Sequence, residues 1–118
     1  MTRTFNVNVV AHFRTIQHFL PDMIKQKKGH IVTIGSLAGM AGSPRLSDYC
    51  ASKFAVIGLD DALRSELFMK GHSDYISTTI VCPFITNTGM FKGCSSKVDN
   101  FQTSKGNHDS QMHIRLFA

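Results

Sequence analysis

Asp48-Tyr49-Cys50-Ala51-Ser52-Lys53 decides the reading of this chain. Tyr49 and Lys53 stand four residues apart, and the apolar pattern that runs on from them reads as one long helix. Residues i and i+4 of an α-helix share a face, roughly 5–6 Å apart at Cβ. An ammonium held there favours the phenolate form of a tyrosine, whose ordinary pKa is about 10. Such a tyrosine can pass a proton to or from an alcohol or carbonyl oxygen. The bland alternative is a surface tyrosine with a lysine beside it, so the weight of the motif depends on its neighbours.

Working outward, Gly29-His30-Ile31-Val32-Thr33-Ile34-Gly35-Ser36 reads as a strand, and Ser36 stands thirteen residues before Tyr49. The small residues Ala38, Gly39, Ala41, Gly42 and Ser43 make a loop that can return the chain to the strand tip where the next helix begins. That would set the Ser36 hydroxyl beside the Tyr49 hydroxyl. Two hydroxyls aimed at one oxygen can cradle developing charge.

The ordered set Asn8, Ser36, Tyr49 and Lys53 resembles the catalytic pattern of the short-chain dehydrogenases/reductases. The resemblance implies that Tyr49 is the general acid/base and that Lys53 lowers its pKa and holds the nicotinamide ribose. Ser36 would bind the substrate oxygen, and Asn8 would order a water that completes the proton relay. On the bare residues, Asn8 reads equally as a polar residue on a helix flank.

The chain has 118 residues, 42% hydrophobic and 18% charged, an ordinary composition for one small domain. No apolar run reaches the length of about 18–20 residues that crosses a bilayer. The opening Met-Thr-Arg-Thr-Phe runs into a helix-like pattern and has no signal-peptide character. Cys50, Cys82 and Cys94 form no C-x-x-C pair, and three thiols close no disulfide framework, which points to a reducing compartment. The net charge of +5 is scattered, with one short run at Lys25, Lys27 and Lys28. Nucleic-acid binding would want a basic stripe with interleaved aromatics. His108 and His113 have no nearby cysteine to complete a metal site.

Residues 4–27 read as an amphipathic helix, with Phe5, Val9, Phe13, Ile16 and Leu20 as its stripe and Pro21 as a kink or a new first turn. Lys27-Lys28-Gly29 should close it, with glycine as the cap. The strand that follows is apolar enough for burial on both faces. A second helix is expected from Ser47 to about Lys70, capped by Ser47 or Asp48. Asp60–Arg64 and Glu66–Lys70 would be i,i+4 pairs on its wet side. Gly58 suggests the close approach of another helix. Gly71–Asp74 reads as a loop, and Ile76–Cys82 as a second buried strand.

Helix, strand, helix, strand implies right-handed parallel crossovers, with ligands beyond the carboxyl ends of the strands. The fold class is therefore α/β with a parallel sheet. The resemblance implies a partial Rossmann-type doubly wound parallel sheet, the C-terminal catalytic half only, with the first βαβ half missing. No strand with a glycine-rich phosphate loop occurs, and no acidic residue ends a second strand to choose the cofactor.

The resemblance covers about residues 3–95, and the domain reading is a partial catalytic domain over 1–95 with a divergent, disordered tail over 96–118. It implies NAD or NADP as cofactor, NAD favoured, with Asn8, Tyr49, Lys53, Pro83, Thr86 and Thr88 at the cofactor and Thr88 at its carboxamide. Ala11-His12-Phe13, Phe19-Leu20-Pro21 and Thr88-Gly89-Met90-Phe91 resemble branch 16C, of epidermal-type retinol dehydrogenases and lipid-droplet 17β-hydroxysteroid dehydrogenases. Phe84, in place of the usual glycine, fits that branch, and Arg14 departs from it. The substrate implied is a hydrophobic alcohol or ketone, retinol- or steroid-like. The full-length family would sit at endoplasmic reticulum or lipid droplets and could dimerise through the two long helices. This chain, without the anchor and with no membrane span, would be cytoplasmic. The alternative is a catalytically inactive truncated isoform or pseudogene product, able at most to pair with a full-length subunit. A weaker one is a small helical interaction module.

Overall fold

The computed structural model describes residues 1–83 and the backbone of residues 112–117. Strands β1 (Gly29–Ile34) and β2 (Ile76–Pro83) pair in parallel, with Gly29 opposite Ile76 and Ile34 opposite Val81. The crossover between them is α3 (Ser47–Met69). A third strand, β3 (Met112–Phe117), lies antiparallel on the far side of β2, from Thr78 opposite Phe117 to Pro83 opposite Met112. The tail is thus not disordered throughout, as the sequence reading expects. Met-His-Ile-Arg-Leu-Phe has the polar–apolar alternation of a strand, which its polar surroundings obscure.

The opening helix is one continuous run with an internal irregularity. It comprises α1 (Thr2–Phe5), a π-helical turn over Asn6–Val10 and α2 (Ala11–Gln26). Pro21 lies inside α2 without ending it. The stop comes at Lys27, which takes the left-handed conformation with φ 49° and ψ 42°. The Lys27 and Lys28 amides close the end by donating to Ile24 and Met23 carbonyls at 3.2 and 3.1 Å. Gly29, expected as the cap, is already the first residue of β1. It is glycine for another reason: a Cβ there would lie 2.7–2.9 Å from the Met23 side chain. The strand leaves the helix so closely that no side chain fits between them.

Ile31 and Thr33 turn toward the helices, and His30, Val32 and Ile34 turn away. Val32 is 55% exposed and Ile34 53%, so among the described residues β1 is buried on one face rather than two. The reason is that α2 and α3 both lie on the same side. Leu63, Leu67 and Ile76 form the buried cluster there, packed by Ile16, Leu20, Met23, Ile24, Ile31 and Tyr75. Burying each large aliphatic side chain contributes roughly 1.5–3 kcal/mol.

The face that α3 turns to the sheet is partly polar. Val56 and Ser52 are fully buried, and Asp60 is 2% exposed. Thr33 Oγ1 donates to Asp60 Oδ1 at 3.0 Å, and Oδ2 has no hydrogen-bond partner. Asp60 is therefore not on the wet side, although the Arg64 charge still acts on it. Arg64 bonds Asp61 at 3.0 Å instead, and Lys70 lies 3.9 Å from Glu66 as the spacing predicts. The register of apolar residues leaves Asp60 and Asp61 on either side of the boundary between sheet and water. No side chain caps α3, whose N-cap is Leu46. A Cβ on Gly58 would meet nothing within 4 Å, so no close helix accounts for that glycine among the described residues.

Desolvation raises the Asp60 pKa above the ordinary carboxylate range, with the Thr33 hydrogen bond opposing it in part. The folded state thus holds the Asp60 proton more tightly than the unfolded chain does. Its contribution is full below the ordinary carboxylate pKa and is lost as pH rises through the raised value. Asp60→Asn should raise stability at pH 8, on the order of 1 kcal/mol, and the gain should fade toward pH 4, as read from urea unfolding at the two pH values. Gly39 lies in the 3₁₀ turn Leu37–Gly39, and its Cβ would come within 2.6 Å of the Lys53 carbonyl oxygen. Gly39→Ala should therefore cost about 1–3 kcal/mol, measured in the same way.

Candidate functional site

The site gathers at the carboxyl ends of β1 and β2. The Gly35 amide donates to Val81 O at 2.8 Å, carrying the strand pairing one residue past β1. Ser36 follows in extended conformation, with 9% exposure, and its Oγ accepts from the Ala38 amide at 3.2 Å. That contact uses a lone pair and leaves the hydroxyl proton for donation. The turn it starts carries Gly39 onto the Lys53 carbonyl, so the serine loop seats directly on the second turn of α3.

From that turn the Lys53 side chain crosses to the strand end. Its Nζ donates to the Ile34 carbonyl at 3.3 Å and lies 5.8 Å from the Tyr49 ring centroid. The i,i+4 spacing thus brings the cation and the phenol together, as the sequence predicts. Burial lowers the Lys53 pKa below the ordinary lysine range, and Cys82 opposes this in part. An ammonium has three N–H donors, so two remain after the Ile34 bond. Pro83 closes β2 at the same end of the sheet. Thr86 and Thr88 lie outside the described residues.

Asn8 lies within the π-helical turn, a distortion often found at functional positions. Its Nδ2 donates to Ser52 Oγ at 3.1 Å, and Ser52 Oγ donates to the Tyr49 carbonyl at 2.7 Å. One turn earlier, Thr4 Oγ1 donates to Asp48 Oδ2 at 2.9 Å. The Thr4 bond, then the Tyr49 backbone amide, hold the Asp48 carboxyl below its ordinary range. Sequence reading missed Thr4, Asp48 and Ser52 in these roles. One signal was available: both contacts join residues 44 apart, through small polar residues repeated at i,i+4. Chemically, a phenol with a half-buried ammonium beside it can move a proton at an alcohol or carbonyl oxygen, and a serine hydroxyl can donate a hydrogen bond to one.

Comparison with known proteins identifies the family. The family model for short chain dehydrogenases matches residues 1–99. The chain is 53% identical over 95 residues to short-chain dehydrogenase/reductase family 16C member 6 of Bos taurus, covering 80% of this chain and 30% of that one. It is 48% identical over 96 residues to epidermal retinol dehydrogenase 2 of Homo sapiens, covering 81% of this chain and 31% of the relative. Retinol dehydrogenase 10 of Rattus norvegicus is 48% identical over 92 residues, with 78% and 27% covered. The chain thus spans about three tenths of the length of these relatives. Among solved structures, a short chain dehydrogenase/reductase from Burkholderia phymatum in complex with NAD superposes with a TM-score of 0.66 at 32% identity. That match covers 70% of this chain and 29% of the other. With a parallel α/β sheet, a Tyr49–Lys53 pair at its carboxyl end and a family match over most of its length, the chain belongs to the short-chain dehydrogenase family.

Proposed function

We propose that this chain carries the proton-transfer machinery of an NAD(P)-dependent oxidoreductase acting on hydrophobic alcohols or ketones, retinol- or steroid-like. The observation that carries the reading is the Lys53 ammonium, set between the Tyr49 ring and the Ile34 carbonyl. Ser36 donates its hydroxyl proton to the substrate oxygen. Tyr49 takes the alcohol proton in oxidation and returns it in reduction. Lys53 supports the negative charge on Tyr49 before it takes that proton and after it gives one up, and its two remaining N–H donors hold the ribose. Asn8 belongs to the same machinery, and Pro83, Thr86 and Thr88 line the cofactor. A bound nicotinamide supplies the hydride acceptor or donor. NAD is favoured over NADP by the named structural neighbour, which is a complex with NAD. The retinoid preference is supported by the retinol dehydrogenases among the relatives.

A second reading has its own support. The sequence has no glycine-rich phosphate loop, the feature that holds the pyrophosphate in dinucleotide-binding folds. The 118-residue chain alone would then be inactive and would act, at most, by pairing with a full-length subunit or a second copy. Phe13 and Phe19 on α2 and Phe54 on α3 are 46%, 53% and 48% exposed and offer apolar surface for such a contact.

Two measurements separate these readings. Fluorescence titration of the 118-residue chain with NADH should give binding weaker than about 1 mM; micromolar binding would overturn the second reading. Joined to the glycine-rich half of epidermal retinol dehydrogenase 2, the chain should oxidise retinol. Tyr49→Phe should then lower kcat by about 10²–10⁴-fold with little change in KM. Turnover retained in that variant would refute the role given to Tyr49.

A further inference from the structure

Thr4–Asp48 and Asn8–Ser52 form two rungs between the opening helix and α3, 2.9 and 3.1 Å long. Both rungs advance together along the two helices, so the helices run parallel and in step across the first turns of α3. The lower rung ends on Ser52, which is fully buried and hands its own proton to the Tyr49 carbonyl. We infer that Ser52 is a positioning residue, the pivot through which Asn8 sets the aim of Tyr49 and Lys53. This rests on the reading of those two residues as the proton-handling pair.

The physical case begins with what apolar packing leaves undetermined. The buried face of α3 is Cys50, Ser52, Val56, Asp60, Leu63 and Leu67, with the large aliphatics confined to its later turns. At the start of the helix, where Tyr49 and Lys53 project, small residues allow roll about the axis. A helix with side chains is about 10–12 Å across, so a roll of 10° moves a side-chain tip by roughly 1 Å. An error of that size at a reacting group can cost about 10²-fold in rate. Directional hydrogen bonds remove the freedom that non-directional burial leaves. Ser52–Asn8 fixes the roll from the helix side, and Asp60–Thr33 fixes it from the sheet side, two turns later. Val56, fully buried, lies midway between the two ties.

The link to Lys53 is direct. Ser52 is its chain neighbour, and the Lys53 ammonium reaches the Ile34 carbonyl at 3.3 Å. Releasing the roll withdraws the ammonium from its half-buried seat toward water.

The test follows the Lys53 ammonium in the full 118-residue chain, by NMR titration of ε-¹³C-labelled lysines assigned with Lys53→Arg. In the parent chain Lys53 should titrate below the exposed lysines. Ser52→Ala and Asn8→Ala should each move its midpoint up toward theirs, and the double variant should move it no further. Asp74→Asn, away from both ties, should leave it in place. If Ser52→Ala does not fold, Asn8→Ala and Thr4→Val carry the test from the other end of each rung. An unmoved Lys53 midpoint in a folded Ser52→Ala or Asn8→Ala chain overturns the inference, as do additive shifts in the double variant. Failure here leaves the Tyr49→Phe result with the fused chain untouched. Retained turnover in that variant would instead remove the proton-handling reading itself.

Discussion

One hydrogen bond connects the fold to its chemistry: the Lys53 ammonium on the Ile34 carbonyl, at the last residue of β1. It needs a strand that ends at that depth, a helix that starts at that height and a turn small enough to let the two meet. Gly39 satisfies the third condition by lying against the backbone of Lys53 itself. Gly35 satisfies the first by extending the pairing to Val81, where a Cβ would press within 3.0 Å of the Cys82 sulfur. Both glycines serve closeness of approach, and neither is required for a left-handed backbone.

The electrostatics follow from that placement. Burial disfavours the lysine cation, yet a carbonyl dipole at the strand end and the nearby Cys82 keep it supplied with partners. Asp60 shows the same tendency in the same helix: burial raises its pKa, one carboxylate oxygen has no hydrogen-bond partner, and the Thr33 bond offsets the cost only in part. In both groups burial favours the neutral form, and the polar contacts each keeps oppose it.

The family model matches residues 1–99, and the described residues supply both parallel strands and both long helices within that range. Ser36 and the Lys53 ammonium lie at the carboxyl end of β1, and Asn8 bonds Ser52 on α3. The π-helical turn at Asn6–Val10 is the point where the regular helix yields. It places Asn8 against α3 while Val9 stays buried.

Periodicity determined the two long helices, the extent of the two strands and the pairing of Tyr49 with Lys53, because each rests on contacts between near neighbours in the chain; the parallel pairing of the strands followed from the order of elements. Local spacing cannot report a helix's rotation against a sheet, and the errors lie there. Asp60 was assigned to water because Arg64 stands four residues away; the sheet claims it because Thr33 faces it across the crossover. Ser47 or Asp48 is the cap that the sequence offers, yet neither caps the helix, and Thr4 holds Asp48 from the opening helix. Gly29 was assigned to a helix stop, and Met23 explains it by lack of space. β3 was hidden in a polar tail because six alternating residues form a strand only when an open edge, here that of β2, satisfies their backbone. The residue types present were legible in the sequence; which of them face one another was decided by long-range hydrogen bonds and packing that no local pattern encodes.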